Sequence, residues 1–186
     1  MARFNDLQRV AHFKSTGRFP SIHDDIIHAV KEYTGDSKRC LDVGCCFGLL
    51  SARLVLECGK ERIVGLEGNR TYLQNAIQLP QISYQSAYIT KANLWAVSKL
   101  IASNRLNLVI ARRVFPEIYD GIGHDGIKEL ARLFGISGIE KIVLEGRVNS
   151  GRSSHPLRSK EQEALSLSPY YSIKHEYKNC LVLERA

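Results

Sequence analysis

The chain has 186 residues, 44% hydrophobic and 24% charged, a balance that suits one domain with a sizeable core and excludes a low-complexity or disordered chain. No apolar run approaches the ~20 residues needed to span a bilayer, and the opening Met1-Ala2-Arg3-Phe4-Asn5-Asp6 lacks the apolar stretch of a secretory signal, so a cytoplasmic protein with no membrane partner is expected. The formal charge of +7 favours a polyanionic partner, with nucleic acid at even weight, since proteins that never touch nucleic acid also carry such an excess.

Two helical segments come first. Phe4, Leu7, Val10 and Ala11 recur at helical spacing over residues 4–14, and a second helix starting at Ser21 carries Ile22, Ile26, Ile27 and Val30, with Asp24 in its first turn. The link at 15–20 reads as a hinge, and residues 1–36 as a helical leader ahead of a core at 37–186 within a single domain. The run Cys40-Leu41-Asp42-Val43-Gly44-Cys45-Cys46-Phe47-Gly48 then reads as a buried strand ending at Asp42, a glycine-flanked turn, and the start of an apolar helix reaching Glu57. Such a corner bends the backbone close to a ligand and turns unpaired helix amides toward it. A side chain at Cys46 requires that residue to keep ordinary backbone angles.

Strands and helices alternate from there: strand 62–66, helix 69–79, a break at Pro80, strand 81–86, helix 91–103, strand 106–111, helix 124–134 and strand 140–144. That rhythm implies a parallel sheet covered on both faces. Beyond a Gly- and Ser-rich basic loop at 146–156, read as a mobile substrate loop, come a helix at 158–167 and two β-like runs at 170–176 and 179–184. The two-residue separation of these runs makes them an antiparallel hairpin. Cys40, Cys45, Cys46, Cys58 and Cys180 form no C-x-x-C pair and no zinc-module spacing, so they read as reduced thiols and no metal is expected.

Gly44 and Gly48 lie four apart, whereas a dinucleotide fingerprint spans five. The pattern Asp42-x-Gly44-x-Cys46-x-Gly48 resembles motif I of the class I S-adenosylmethionine (SAM) methyltransferases, D/E-x-G-x-G-x-G, with Cys46 in place of the middle glycine. The resemblance covers residues 21–186. It implies a Rossmann-like, doubly wound α/β sheet of seven strands in the order 3-2-1-4-5-7-6 with a terminal antiparallel hairpin, and SAM as cofactor with S-adenosylhomocysteine as product. Under it, Asp42 orients the methionine ammonium and the turn of Gly44, Cys45, Cys46, Phe47 and Gly48 faces the cofactor. Glu67, 23 residues after Gly44 at the end of the second strand, accepts hydrogen bonds from both ribose hydroxyls. Gly68 leaves room for the sugar, Ser86 and Ala87 stand where the family holds the adenine, and Arg112 joins the cofactor set.

After the fourth strand the run Ala111-Arg112-Arg113-Val114-Phe115-Pro116-Glu117 is not the Asp/Asn-Pro-Pro-aromatic motif of amino-methylating DNA enzymes. The Pro-Cys nucleophile of cytosine-C5 enzymes is missing too, and no Lys-Asp-Lys-Glu set is placed for ribose methylation. Substrate contacts fall to Arg113, Arg147, Arg152 and His155, beyond the carboxyl ends of the strands; no catalytic base is named. The acceptor stays open among RNA or another polyanion, a small molecule and a protein. Two rival functions also stay open: a non-catalytic methyltransferase-fold binding or regulatory protein, and a nucleotide-dependent oxidoreductase.

Overall fold

The computed structural model describes residues 2–146 and 155–186, with the backbone alone for residues 2–6. The leader is α1 (Ala2–Thr16), a 3-10 turn at Ser21–His23 and α2 (Asp24–Tyr33). There follow β1 (Arg39–Val43), α3 (Leu49–Cys58), β2 (Arg62–Glu67), α4 (Arg70–Gln74), β3 (Ile82–Ser86), α5 (Leu94–Asn104) and β4 (Leu108–Arg112). The chain continues through α6 (Phe115–Ile136), β5 (Lys141–Glu145), α7 (Lys160–Leu165), β6 (Tyr171–Tyr177) and β7 (Cys180–Arg185). These strands make one seven-stranded sheet in the order β3-β2-β1-β4-β5-β7-β6, parallel except for β7, which runs antiparallel to both β5 and β6. This is the expected α/β architecture.

The central strands are apolar on both sides because both faces are covered. Successive side chains leave a strand on opposite faces, so Leu41, Val43, Val109 and Ala111 enter one core with Val97, Ile101, Leu130 and Phe134 of α5 and α6. Cys40, Leu108 and Ile110 enter the other with Leu50 and Leu54 of α3. Ile26, Ile27, Ala29 and Val30 of α2 belong to that second core, and each buried Ile or Val contributes roughly 1.5–3 kcal/mol. Helix α2 is therefore a structural layer of the sheet, and it delivers the residues just before it to the carboxyl end of β1.

Three later helices depart most from the sequence expectation. Helix α6 begins at Phe115, nine residues before the expected start, with Pro116 in its first turn. It bends at Gly123 (φ 71°, ψ −178°), where a glycine-rich run had masked the helical period. Helix α4 stops at Gln74, because Ile77 turns inward and donates its N–H to the Phe47 carbonyl (3.0 Å). Helix α7 is shorter than 158–167 and opens on Ser159, whose hydroxyl caps the Gln162 amide.

The sheet order reverses direction between β1 and β4: the chain builds β2 and β3 on one side of β1, then crosses to β4 on the other. In open α/β sheets the crevice at such a reversal, outside the carboxyl ends of the strands, is where ligands bind.

Candidate functional site

Three hollows sharing Gly44 occupy that crevice. The turn after β1 reaches them through alternating left-handed residues: Gly44 (φ 72°), Cys46 (φ 49°) and Gly48 (φ 72°). Cys46 thus departs from the ordinary angles expected of a side-chain-bearing residue. Left-handed backbone costs a residue with a Cβ about 1–2 kcal/mol. A hydrogen bond from the Cys46 amide to Glu67 Oε2 (3.1 Å) helps offset this; bonds to charged groups are worth about 1.5–3 kcal/mol, enough to hold the bend.

Glu67 closes β2 and is 9% exposed. Its second oxygen, Oε1, accepts the Asn69 amide at 2.8 Å, so one carboxylate ties the β1–α3 turn to the β2–α4 turn. A carboxylate has about four lone-pair sites. Two are engaged by the backbone, which leaves acceptor capacity for a ligand diol. Beside it the Tyr88 ring lies over Gly68, where a Cβ would fall 2.2 Å from ring carbons. The space expected to admit a sugar is thus capped by an aromatic ring.

Gly48 has a second reason to be glycine besides the left-handed bend of the turn. A Cβ there would sit 2.0 Å from the Tyr84 hydroxyl, which donates to the Ile77 carbonyl (2.6 Å). The residue makes room for Tyr84, while Gly44, whose Cβ would come within 3.0 Å of Val114 Cγ2, is the glycine that faces the hollows. Phe47 is buried and its ring tilts against Tyr72 at 4.6 Å.

The innermost hollow is lined by Asp42, Cys45, Cys46, Phe47 and Arg112, and also by His23. Asp42 is 1% exposed; its Oδ2 accepts the Ser51 hydroxyl at 2.5 Å. Burial pushes its carboxyl up to about 6; the Ser51 bond opposes that rise, the Glu67 charge adds to it, and Arg112 works against it. Cys45 is buried, and burial likewise raises its thiol, so it is no thiolate nucleophile.

Arg112 and Arg113 share one carboxylate. Glu145 lies opposite Arg112 in the β4–β5 register; its Oε2 meets Arg112 Nε at 2.9 Å and its Oε1 meets Arg113 Nε at 2.9 Å. Arg113 adopts φ 56° and donates its amide to the Glu145 carbonyl (2.8 Å). The sequence assigned Arg112 to the cofactor and Arg113 to the substrate; strand pairing joins both to Glu145 in a three-residue cluster of net charge +1. Both arginines reach the outer hollow with Glu67, Tyr72 and Tyr88.

Gly68 and Ala87 line the hollow bounded by Glu67, Tyr88 and Ile118, and the Ala87 amide donates to the Glu67 carbonyl (3.1 Å). Ser86 is exposed at the end of β3. His155 is held against α6: its Nδ1 accepts the Leu157 amide (2.9 Å), so Nε2 carries the proton toward Asp120 Oδ1 (3.0 Å). Arg147, Arg152 and most of the basic loop lie outside the described residues. Among the described residues no group of three or more His, Cys, Asp or Glu could hold a metal ion, and no helix is long and apolar enough to cross a membrane.

Sequence reading missed His23. It is 6% exposed, and burial, reinforced by the charges of Arg112 and Arg53, drops its imidazole to about 3. The signal was a polar residue on an apolar stripe, since His23, Ile26, Ile27 and Val30 follow i, i+3, i+4, i+7.

No family profile matches the sequence, and no curated protein does. Among solved structures, the chain is similar to the bifunctional kinase-methyltransferase WbdD, with a TM-score of 0.64, 16% identity and coverage of 94% of this chain and 42% of that one. This chain therefore spans about two fifths of that protein. Two others match almost end to end. A SAM-dependent methyltransferase from Aquifex aeolicus gives a TM-score of 0.61 at 15% identity, covering 95% of this chain and 97% of that one. One from Anabaena variabilis ATCC 29413 gives 0.62 at 11%, covering 96% and 93%. The chain has the Rossmann-like fold of the class I methyltransferases.

Proposed function

We propose that this chain, built on the class I methyltransferase fold, binds SAM in the crevice around Gly44 and transfers its methyl group to an acceptor. The observation that carries the reading is the Glu67 carboxylate, fixed by two backbone amides at the end of β2 with acceptor capacity to spare, in a crevice whose far end holds the buried Asp42. Glu67 suits a ribose diol, and Asp42 suits an ammonium. Ala87, Ile89 and Ile118 offer an apolar slot for a base.

When bound, SAM supplies an electrophilic methyl on its sulfonium, which an acceptor lone pair takes in line. The residues around it contribute position rather than proton transfer. The Glu145-bound arginines fix the edge of the outer hollow, and Tyr72 and Tyr88 give it aromatic walls. An acceptor entering there meets a net positive, aromatic rim. The formal charge of +7 supports RNA or another polyanion as acceptor, although Arg112 and Arg113 bring less net charge than two separate cations.

Calorimetric titration with SAM, S-adenosylhomocysteine and NAD tests the reading. Either adenosyl ligand should bind with a micromolar dissociation constant, roughly 6–8 kcal/mol, and NAD should not; NAD binding without a response to either ligand would refute it.

A further inference from the structure

The innermost hollow contains an imidazole that nothing in the fold accounts for. His23 Nδ1 is buried without a hydrogen-bond partner, and a desolvated polar atom left unmet is destabilising. Packing alone would favour an apolar residue at this place on the stripe.

Its position is also built. Arg53 donates from Nη1 to the Pro20 carbonyl (3.1 Å) and to Asp24 Oδ1 (2.7 Å), and Arg112 Nη2 reaches the Ile22 carbonyl at 3.5 Å. The short segment carrying His23 is thus pinned on both flanks to α3 and β4. His23 lines the same hollow as Asp42, Arg112 and the turn of Gly44 to Phe47.

The three polar groups sort by charge. Asp42 complements a cation, while Arg112 and a neutral imidazole N–H complement an anion. A site with one acidic and two donor groups, closed by the apolar Leu49 and Leu50, matches a zwitterion such as an α-amino acid end. The fields of Arg112, Arg53, Arg9 and Arg113 all act on His23 in the same sense, against a second positive charge. A ligand ammonium is therefore disfavoured at the ring and a carboxylate is favoured.

Accepting the adenosyl site proposed above, we infer that His23 is a positioning residue for the cofactor's amino-acid end: a ring N–H donates to the α-carboxylate beside Arg112, while Asp42 takes the ammonium. The leader then completes the cofactor site.

The test compares S-adenosylhomocysteine with its decarboxylated analogue, which lacks only the α-carboxylate, on the full chain and on His23→Ala. The variant should bind S-adenosylhomocysteine about tenfold to a hundredfold more weakly, the worth of one hydrogen bond to a charged group, and the decarboxylated analogue within about threefold of wild type. His23→Gln, which restores an N–H donor, should recover part of the loss. Should His23→Ala fail to fold, His23→Leu fills the volume without a donor and gives the same comparison. Equal loss for both ligands, or no loss for either, overturns the role of His23. Wild type that binds neither ligand would instead refute the adenosyl site itself.

Discussion

Glu67→Gln, set beside Glu67→Ala, perturbs the site at the point where fold and function meet. The native carboxylate accepts two amides, from Cys46 and Asn69. An amide side chain has one acceptor oxygen and an NH2 group, so Gln keeps at most one of the two bonds and sets a donor against the other N–H. Ala keeps neither. With bonds to a charged acceptor worth about 1.5–3 kcal/mol each and water replacing part of that, the expected losses are about 1–2 kcal/mol for Gln and about 2–4 kcal/mol for Ala. Ala also removes the bond from the Cys46 amide that helps offset its left-handed backbone. In a chain of this size each kcal/mol lowers Tm by roughly 2–4 °C. Urea unfolding gives the stability and calorimetry the S-adenosylhomocysteine affinity, which should fall with the same order, Glu above Gln above Ala. Glu61→Gln, at an exposed position just before β2, is the control and should change neither. If Glu67→Gln unfolds within about 0.5 kcal/mol of wild type and binds the ligand unchanged, Glu67 is a surface charge and the reasoning fails.

Gly48→Ala places a Cβ 2.0 Å from the Tyr84 hydroxyl at a residue with φ 72°, and should cost about 2–4 kcal/mol in urea unfolding from strain and overpacking together. Adding Tyr84→Ala should cost less than the sum of the two single losses; strict additivity would show that the two residues do not collide. The pH dependence carries opposing contributions. Asp42, raised to about 6, holds its proton in the folded state between 3.8 and 6, so its contribution to stability falls as pH rises through 6. His23, lowered to about 3, is neutral when folded but protonated when unfolded, so its contribution is complete above 6.5 and lost as pH falls toward 3. Between 3.8 and 6 the two slopes nearly cancel. Replacing His23 by Leu should leave Asp42 unopposed there, with stability rising on acidification by about 1.4 kcal/mol per pH unit relative to wild type. Denaturant titrations at pH 4, 5 and 6 would measure the difference, and parallel profiles for the two proteins would refute the assignment.

The alternation of apolar strands with amphipathic helices was enough to specify a parallel sheet covered on both faces, and the short gap between the last two strands was enough to specify the hairpin. Both are local patterns: period 2, period 3.6 and turn length are written in neighbouring residues. The same locality made Asp42, Gly44 and Glu67 legible, because a strand end followed by a glycine turn, and an acid at the next strand end, are features of sequence spacing.

What the chain does with those residues depended on contacts between distant segments. No spacing reveals that Glu145 would sit opposite Arg112 and bind Arg113 as well, since that pairing comes from the β4–β5 register across 33 residues. Likewise no spacing reveals that Tyr84 passes over Gly48, beyond the bend the turn asks of it, or that Tyr88 folds over Gly68. Cys46 can hold a left-handed bend because Glu67, 21 residues away, accepts its amide. His23 reached the crevice because α2 packs on the sheet beside α3 and the segment just before it is pinned by Arg53 and Arg112. Periodicity assigns a residue to a face, but only packing decides which cavity that face closes and which charges share it, because burial and Coulomb energies depend on distances in space and not along the chain.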